Sequence, residues 1–134
     1  MRIVPFQPEH IRLMNVQEFQ REASRETARA GDAWTALVGD VPMGCGGLLE
    51  LWEGRAMAWS MLSQDCGPYM LHIVRAIRKK LDRETFRRIE MYVRTDFGPG
   101  CRLARLLGFE IEGKASKFLD DGRDAFIYAR IRNG

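Results

Sequence analysis

The segment from residue 88 to residue 113 constrains the fold more than any other part of the sequence. Apolar and polar residues alternate from 88 to 94, as in a strand with one buried face. A short stretch rich in arginine and leucine then ends at Gly108, and residues 109–111 start a new strand. Gly108 tolerates the positive φ that a helix running straight into a strand requires. This order predicts a domain that mixes α and β structure.

The region before this segment predicts a meander of strands followed by one amphipathic helix. The strands are expected at residues 33–38, 43–51 and 55–62, with turns at Gly39 and Gly54. After Pro68, four apolar residues recur at intervals of three and four and predict one buried stripe on a helix. These residues are Leu71, Val74, Ile77 and Leu81.

The two ends of the chain complete a mixed α/β pattern. Residues 2–5 read as a strand, residues 8–30 as one broken helix or two short ones ended by Gly31, and residues 125–131 as the last strand. No linker rich in proline, glycine or serine separates two parts of the chain. We therefore expect a single domain over residues 1–134.

Composition excludes several classes of protein. The 134 residues contain no run of 18 apolar residues, so no spanning helix is expected, and the first residues do not resemble a signal peptide. The three cysteines are an odd number without metal-site spacing. These features predict a reduced, cytoplasmic protein rather than a disulfide scaffold.

Positive charge is concentrated in the second half of the chain. Residues 1–67 carry 6 basic and 9 acidic side chains, whereas residues 68–134 carry 15 basic and 9 acidic ones. This asymmetry suggests an anionic partner. Seven of the 14 residues from 75 to 88 are lysine or arginine, but acidic residues interrupt them and no stacking platform is evident. A solvated helix face is therefore favoured over a nucleic-acid site.

The sequence from residue 88 to residue 113, RIEMYVRTDFGPGCRLARLLGFEIEG, resembles the second half of the GNAT acetyltransferase superfamily. The order of the other elements fits that fold along nearly the whole chain. The resemblance implies a GNAT-like α/β fold, with a mixed central β-sheet flanked by helices. It also implies acetyl-CoA as cofactor and an amine, on a small molecule or a protein, as acetyl acceptor.

The resemblance places the cofactor at the end of the third meander strand. It implies that the backbone from Met61 through Leu62 to Ser63 holds pantetheine and that Gln64 and Gly67 hold the pyrophosphate. Tyr69 occupies a position where the family has a small residue. Pro68 removes an amide donor and Asp65 adds a negative charge, so the loop is a degenerate version of the family pattern, and Arg75 on the following helix could contact CoA phosphates.

The family's catalytic residues are replaced. Ala104 stands where many members have a tyrosine that protonates the leaving thiolate, and Phe97 stands in the register of a common asparagine. Glu90 is the candidate general base, with Glu50 as a second carboxylate on a central strand and water as the alternative. His72 and Cys66 are interpreted as ordinary residues rather than as catalytic ones.

A narrower resemblance leads to a second hypothesis. The compact length, the aromatic strand at 58–63 and the basic helix are similar to those of short GNAT-like proteins of tailed phages and prophages. That resemblance implies a non-catalytic protein that uses the fold as a scaffold, with virion proteins as partners and the virion or host cytoplasm as location. Pairing of edge strands into a homodimer is a further expectation from the GNAT resemblance.

Overall fold

A computed structural model describes residues 1–16 and 32–132. In that part of the chain, seven strands form one sheet in the order β1-β2-β3-β4-β5-β7-β6. The strands are β1 (Arg2–Pro5), β2 (Asp32–Val38), β3 (Val41–Trp52), β4 (Arg55–Leu62), β5 (Arg88–Arg94), β6 (Glu110–Ala115) and β7 (Ala125–Ile131). The helices are α1 (Glu9–Arg12), α2 (Met70–Arg83) and α3 (Gly98–Leu106). The sheet is mixed and flanked by helices, which confirms the predicted α/β class.

The chain divides into two compact units. The first contains Met1–Leu49 and Ala58–Arg75, and the second contains Glu50–Met57 and Ala76–Gly134. The expectation of a single domain over residues 1–134 stays a prediction. Most of the predicted helical region at 8–30, and its stop at Gly31, lie outside the described residues.

The first unit has its core between α1 and the β2–β4 strands. β1 and β2 pair in antiparallel register, and β2 pairs with β3 through an irregularity between Ala36 and Leu37. The buried cluster consists of Ile11, Met14, Val16, Cys45, Trp59 and Met61. β3 extends beyond its predicted 43–51 limits to Val41–Trp52, because its pairing with β2 already begins at Val41.

The second unit contains the segment that the sequence made most distinctive. β5 pairs in parallel with the first residues of β4 and in antiparallel register with β7, which pairs in turn with β6. Ile89, Met91 and Val93 are buried, as their alternation predicts. Gly108 ends α3 with a φ of 88°. No helix in the described ranges is long and apolar enough to cross a membrane.

One part of the predicted helix stripe is wrong. Leu71 is 60% exposed, whereas Ile73, Val74 and Leu81 are buried. Both residue 70 and residue 71 precede Val74 by a helical interval, so the spacing permits either one on the buried stripe. In the structure, the side of the helix that faces inward carries residues 70, 73, 74, 77 and 81. A 3-10 turn at Gly67–Tyr69 also precedes α2, so the α-helix starts at Met70.

Candidate functional site

The turn that joins β4 to α2 is held by its own backbone. The amide of Ser63 donates to Met43 O at 2.9 Å, and the amide of Gln64 donates to Asn15 O at 2.8 Å. Further along, the amide of Asp65 donates to Ser63 Oγ at 3.0 Å. These bonds fix the turn firmly, but they use amides that a phosphate would otherwise bind.

Gly67 is the open point of this turn. The amides of Cys66 and Tyr69 donate to Ser63 O at 3.1 Å and to Cys66 O at 2.8 Å, and Pro68 has no amide hydrogen. For Gly67, by contrast, no backbone acceptor is found within the described part of the chain. A Cβ added at Gly67 would meet no atom within 4 Å. Gly67 is exposed and lies three residues before α2, so its amide and the positive end of that helix are the groups of this turn that would attract an anion.

The remaining cofactor candidates lie in the same unit. Met61 and Ser63 are buried, at 4% and 3% exposure. Leu62 is half-buried, and Gln64 is exposed, while Tyr69 is half-buried. These candidates follow one another along the chain, from the end of β4 to the 3-10 turn that precedes α2.

The side chains around the turn include few groups that could take part in catalysis. Asn15 Nδ2 donates to Asp65 Oδ2 at 3.4 Å, which partly occupies the carboxylate predicted to oppose a phosphate. Cys66 is buried against Met70, with 3.4 Å between the two sulfur atoms. Burial raises the pKa of the Cys66 thiol, so the group is a protonated packing residue at neutral pH. His72 is exposed on α2.

Glu90 belongs to the second unit, where it is the centre of an ion-pair cluster. It is 2% exposed on β5 and accepts a hydrogen bond from Arg55 Nε of the neighbouring strand β4. Tyr92 donates its hydroxyl to Glu90 Oε2 at 2.5 Å, and Arg88 Nε lies 3.5 Å from Oε1. The hydrogen bond from Arg55 is the main cause that lowers the pKa of Glu90 to about 2.

The same face of the second unit carries aromatic groups. Tyr92 stacks on Phe118, with ring centroids 4.7 Å apart, and the Arg55 guanidinium lies 4.3 Å from the centre of the Trp52 ring. Sequence reasoning missed Arg55 and Tyr92 as partners of Glu90. For Tyr92 the i, i+2 spacing from Glu90 was an available signal, since both side chains must share one face of β5.

The two positions at which the resemblance implies lost catalytic side chains lie in α3 and at its N-terminus. Ala104 is fully buried in α3, and its carbonyl accepts the amide hydrogen bond of Phe109 at 3.0 Å. A small side chain therefore fits where this helix passes directly into the following strand. Phe97 is the N-cap residue of α3 and makes no side-chain capping hydrogen bond. The other candidate carboxylate, Glu50, is exposed on β3.

Neither a protein-family model nor a curated protein sequence matches the chain. Solved structures do match over almost its whole length. An IAA acetyltransferase from Bacillus cereus superposes with a TM-score of 0.77 and 13% identity, covering 98% of this chain and 99% of that one. A GNAT family acetyltransferase from Elizabethkingia anophelis with acetyl-CoA bound gives a TM-score of 0.77 at 12% identity, with 98% and 97% covered.

The chain has the fold of the GNAT acetyltransferases. A Bacillus subtilis acetyltransferase in complex with CoA agrees, with a TM-score of 0.74, 15% identity, and 98% and 99% of the two chains covered. The GNAT fold predicted from the sequence is therefore confirmed. At these identities the similarity establishes the fold, whereas the chemistry must be argued from the residues themselves.

Proposed function

We propose that the chain is an acyl-CoA-dependent N-acetyltransferase with a degenerate cofactor loop. The observation that carries this proposal is the full-length match of the fold to acetyltransferases, among them ones with CoA or acetyl-CoA bound. The free space around Gly67, in the 3-10 turn that precedes α2, supports it.

In this proposal the first unit holds the cofactor. The backbone from Met61 to Ser63 binds pantetheine, and the Gly67 amide with the positive end of α2 binds the pyrophosphate. Gln64 and Tyr69 flank the pyrophosphate, and Arg75 supplies a cation on α2. When bound, acetyl-CoA supplies a thioester, from which an amine takes the acetyl group while coenzyme A leaves as a thiol.

The sequence predicts Glu90 as the base that removes a proton from the acceptor amine. A carboxylate with a pKa of about 2 accepts a proton poorly near pH 7. We therefore favour an acceptor amine that has already lost its proton to the solvent when it attacks the thioester, with Glu90 acting as a positioning residue that holds Tyr92 and Arg55. The acceptor is an amine of a small molecule or a protein.

Calorimetric titration with acetyl-CoA tests the proposal directly. We expect saturable binding to the wild-type chain and at least tenfold weaker binding to Gly67→Glu, because the new carboxylate repels phosphate. Gly67→Ala is the matched control, since its methyl group would meet no atom within 4 Å. Release of free thiol from acetyl-CoA in the presence of a panel of amines then reports transfer. Absence of binding at millimolar acetyl-CoA would contradict the proposal that the chain is an acetyltransferase.

The second candidate is a non-catalytic protein on a GNAT scaffold. The use of the Gln64, Asp65, Cys66 and Tyr69 amides within the chain favours it, because few donors remain for a phosphate. In this case neither acetyl-CoA binding nor thiol release occurs. With this candidate we also propose virion proteins as partners, a location in the cytoplasm or the virion, and a homodimer. Detection of the chain in purified phage particles would support the virion assignment.

A further inference from the structure

Trp59 carries a buried donor without an acceptor. It lies in β4, its side chain is part of the first unit's core, and the residue is 9% exposed. Within residues 1–16 and 32–132, its Nε1–H is the buried side-chain polar group that lacks a hydrogen-bond partner. An indole nitrogen can only donate, so a bond to it requires an acceptor atom.

Trp59 lies among apolar side chains in the part of the chain that the structure describes. It packs in the cluster with Ile11, Met14 and Met61, and the ring of Phe6 meets it edge-on at a centroid distance of 5.2 Å. Burial of an unpaired N–H costs free energy that a phenylalanine at the same position would not incur. The indole is therefore unfavourable for the fold alone.

Thr35 and Ser63, the other buried polar residues described in this unit, both have hydrogen-bond partners. Thr35, 1% exposed, has its Oγ1 2.7 Å from Nδ1 of His10. The Gln7 amide also donates to that Nδ1, at 3.1 Å, so the neutral imidazole carries its hydrogen on Nε2. The His10 ring lies edge-on to Phe6 with a centroid distance of 6.2 Å. Phe6 therefore contacts two rings that carry an N–H group, the imidazole of His10 and the indole of Trp59.

The position of Trp59 along β4 connects it with the proposed cofactor stretch. Trp59 precedes Met61 by two residues, so the two side chains share a face of the strand, and both belong to the same buried cluster. Ser63, the first residue of the turn that joins β4 to α2, lies four residues after Trp59. The indole therefore belongs to the strand that leads directly into the proposed cofactor stretch.

We propose that the Trp59 indole N–H donates a hydrogen bond to a carbonyl or carboxylate oxygen of a ligand bound by the first unit. This inference rests on the proposed acetyltransferase function. The oxygen comes either from the cofactor, through its amide or thioester carbonyls, or from an amine acceptor that bears a carbonyl or carboxylate. A polyamine without oxygen does not satisfy this donor.

Nuclear magnetic resonance of the 15N-labelled wild-type protein tests the inference. The chain has three tryptophans, so three indole N–H signals are expected, and Trp34→Phe and Trp52→Phe assign the Trp59 signal by elimination. The protein is titrated with CoA, then with acetyl-CoA, then with an amine that it acetylates. We expect the Trp59 indole proton to shift downfield in one of these titrations, while the Trp52 signal stays in place.

The titrations separate the sources of the oxygen. A shift with CoA assigns it to a pantetheine amide, a shift only with acetyl-CoA to the thioester, and a shift only with the amine to the acceptor. A stationary Trp59 signal while the Gly67 amide moves overturns the inference and leaves the proposed function intact. If neither signal moves in the presence of acetyl-CoA, the proposed function has failed and the inference with it.

A variant adds an independent readout. Trp59→Phe removes the donor and keeps an aromatic ring, so we expect the KM or Kd of the corresponding ligand to rise about three- to tenfold. Trp52→Phe is the matched control, because Trp52 is 58% exposed in the second unit. Equal KM values for Trp59→Phe and wild type would contradict the inference.

Discussion

Tyr92 donates its hydroxyl to Oε2 of Glu90 across 2.5 Å, two residues apart on the same face of β5. Desolvation is the largest cause that raises the pKa of Tyr92, and this hydrogen bond adds to it, so the phenol stays protonated at neutral pH. The carboxylate stays ionised because Arg55 also donates to it. The pair therefore combines a fixed charge with a fixed donor and orients the aromatic ring on which Phe118 stacks.

Replacement of Glu90 should destabilise the protein more than replacement of any exposed carboxylate in its cluster. Glu90→Gln leaves the guanidinium groups of Arg55 and Arg88 without their buried counter-charge, and we expect a loss of about 3 kcal/mol in the free energy of unfolding. Urea denaturation followed by circular dichroism measures this loss.

Glu112→Gln provides the matched control for that measurement. Glu112 accepts two hydrogen bonds from Arg88, at 2.6 and 3.0 Å, but its side chain is 42% exposed. We expect a loss below about 1 kcal/mol. Equal losses for the two variants would show that Glu90 contributes no more than a surface ion pair.

The same carboxylate predicts a dependence of stability on pH. The pKa of Glu90 is lowered from 4.5 to about 2, so its contribution is complete above pH 4.5 and is lost as the pH falls towards 2. The free energy of unfolding, measured in urea at a series of pH values, should decline over this interval. The decline should be shallower in Glu90→Gln, and parallel curves for variant and wild type would contradict the assignment.

Local patterns predicted the strands well where turns bound them. The limits of β4 and β7, Arg55–Leu62 and Ala125–Ile131, agree with the sequence prediction, because Gly54 and Gly122 both adopt positive φ just before these strands. On α2 the spacing could not decide between two faces, since Leu71 and Met70 both precede Val74 by a helical interval. Packing of the helix decided it.

Contacts between distant residues could not be read from the sequence. Alternation placed Glu90 on a polar face of β5, but Arg55 lies 35 residues earlier and meets it only because β4 and β5 pair in parallel. The orphan donor of Trp59 also depends on what packs around it. Pattern and resemblance therefore predicted the fold, whereas the chemistry of the candidate site depends on register and burial.

The three cysteines should react slowly in the native protein. Cys45, Cys66 and Cys101 are all buried, and burial raises the pKa of Cys45 to about 12. The thiolate is the reactive form, so we expect a disulfide reagent such as dithiobisnitrobenzoate to modify the native chain far more slowly than the chain in guanidinium, where three equivalents react. Cys66→Ala should leave the native rate unchanged. A fast phase that this substitution removes would show that Cys66 is a reactive thiol at the start of α2.

A methyl group should be far more costly at Gly46 than at Gly67. A Cβ at Gly46 would lie 2.7 Å from the backbone oxygen of Trp59 and 3.3 Å from Cβ of Ser60, whereas at Gly67 it would meet no atom within 4 Å. Because a backbone oxygen cannot rotate away as a side chain can, Gly46→Ala must displace β4 relative to β3. We expect a loss of about 2 kcal/mol for Gly46→Ala and less than about 0.5 kcal/mol for Gly67→Ala in urea denaturation. If Gly46→Ala proved as stable as wild type, β3 would not approach β4 as closely as the structure shows, and the placement of Trp59 beside Gly46 would need revision.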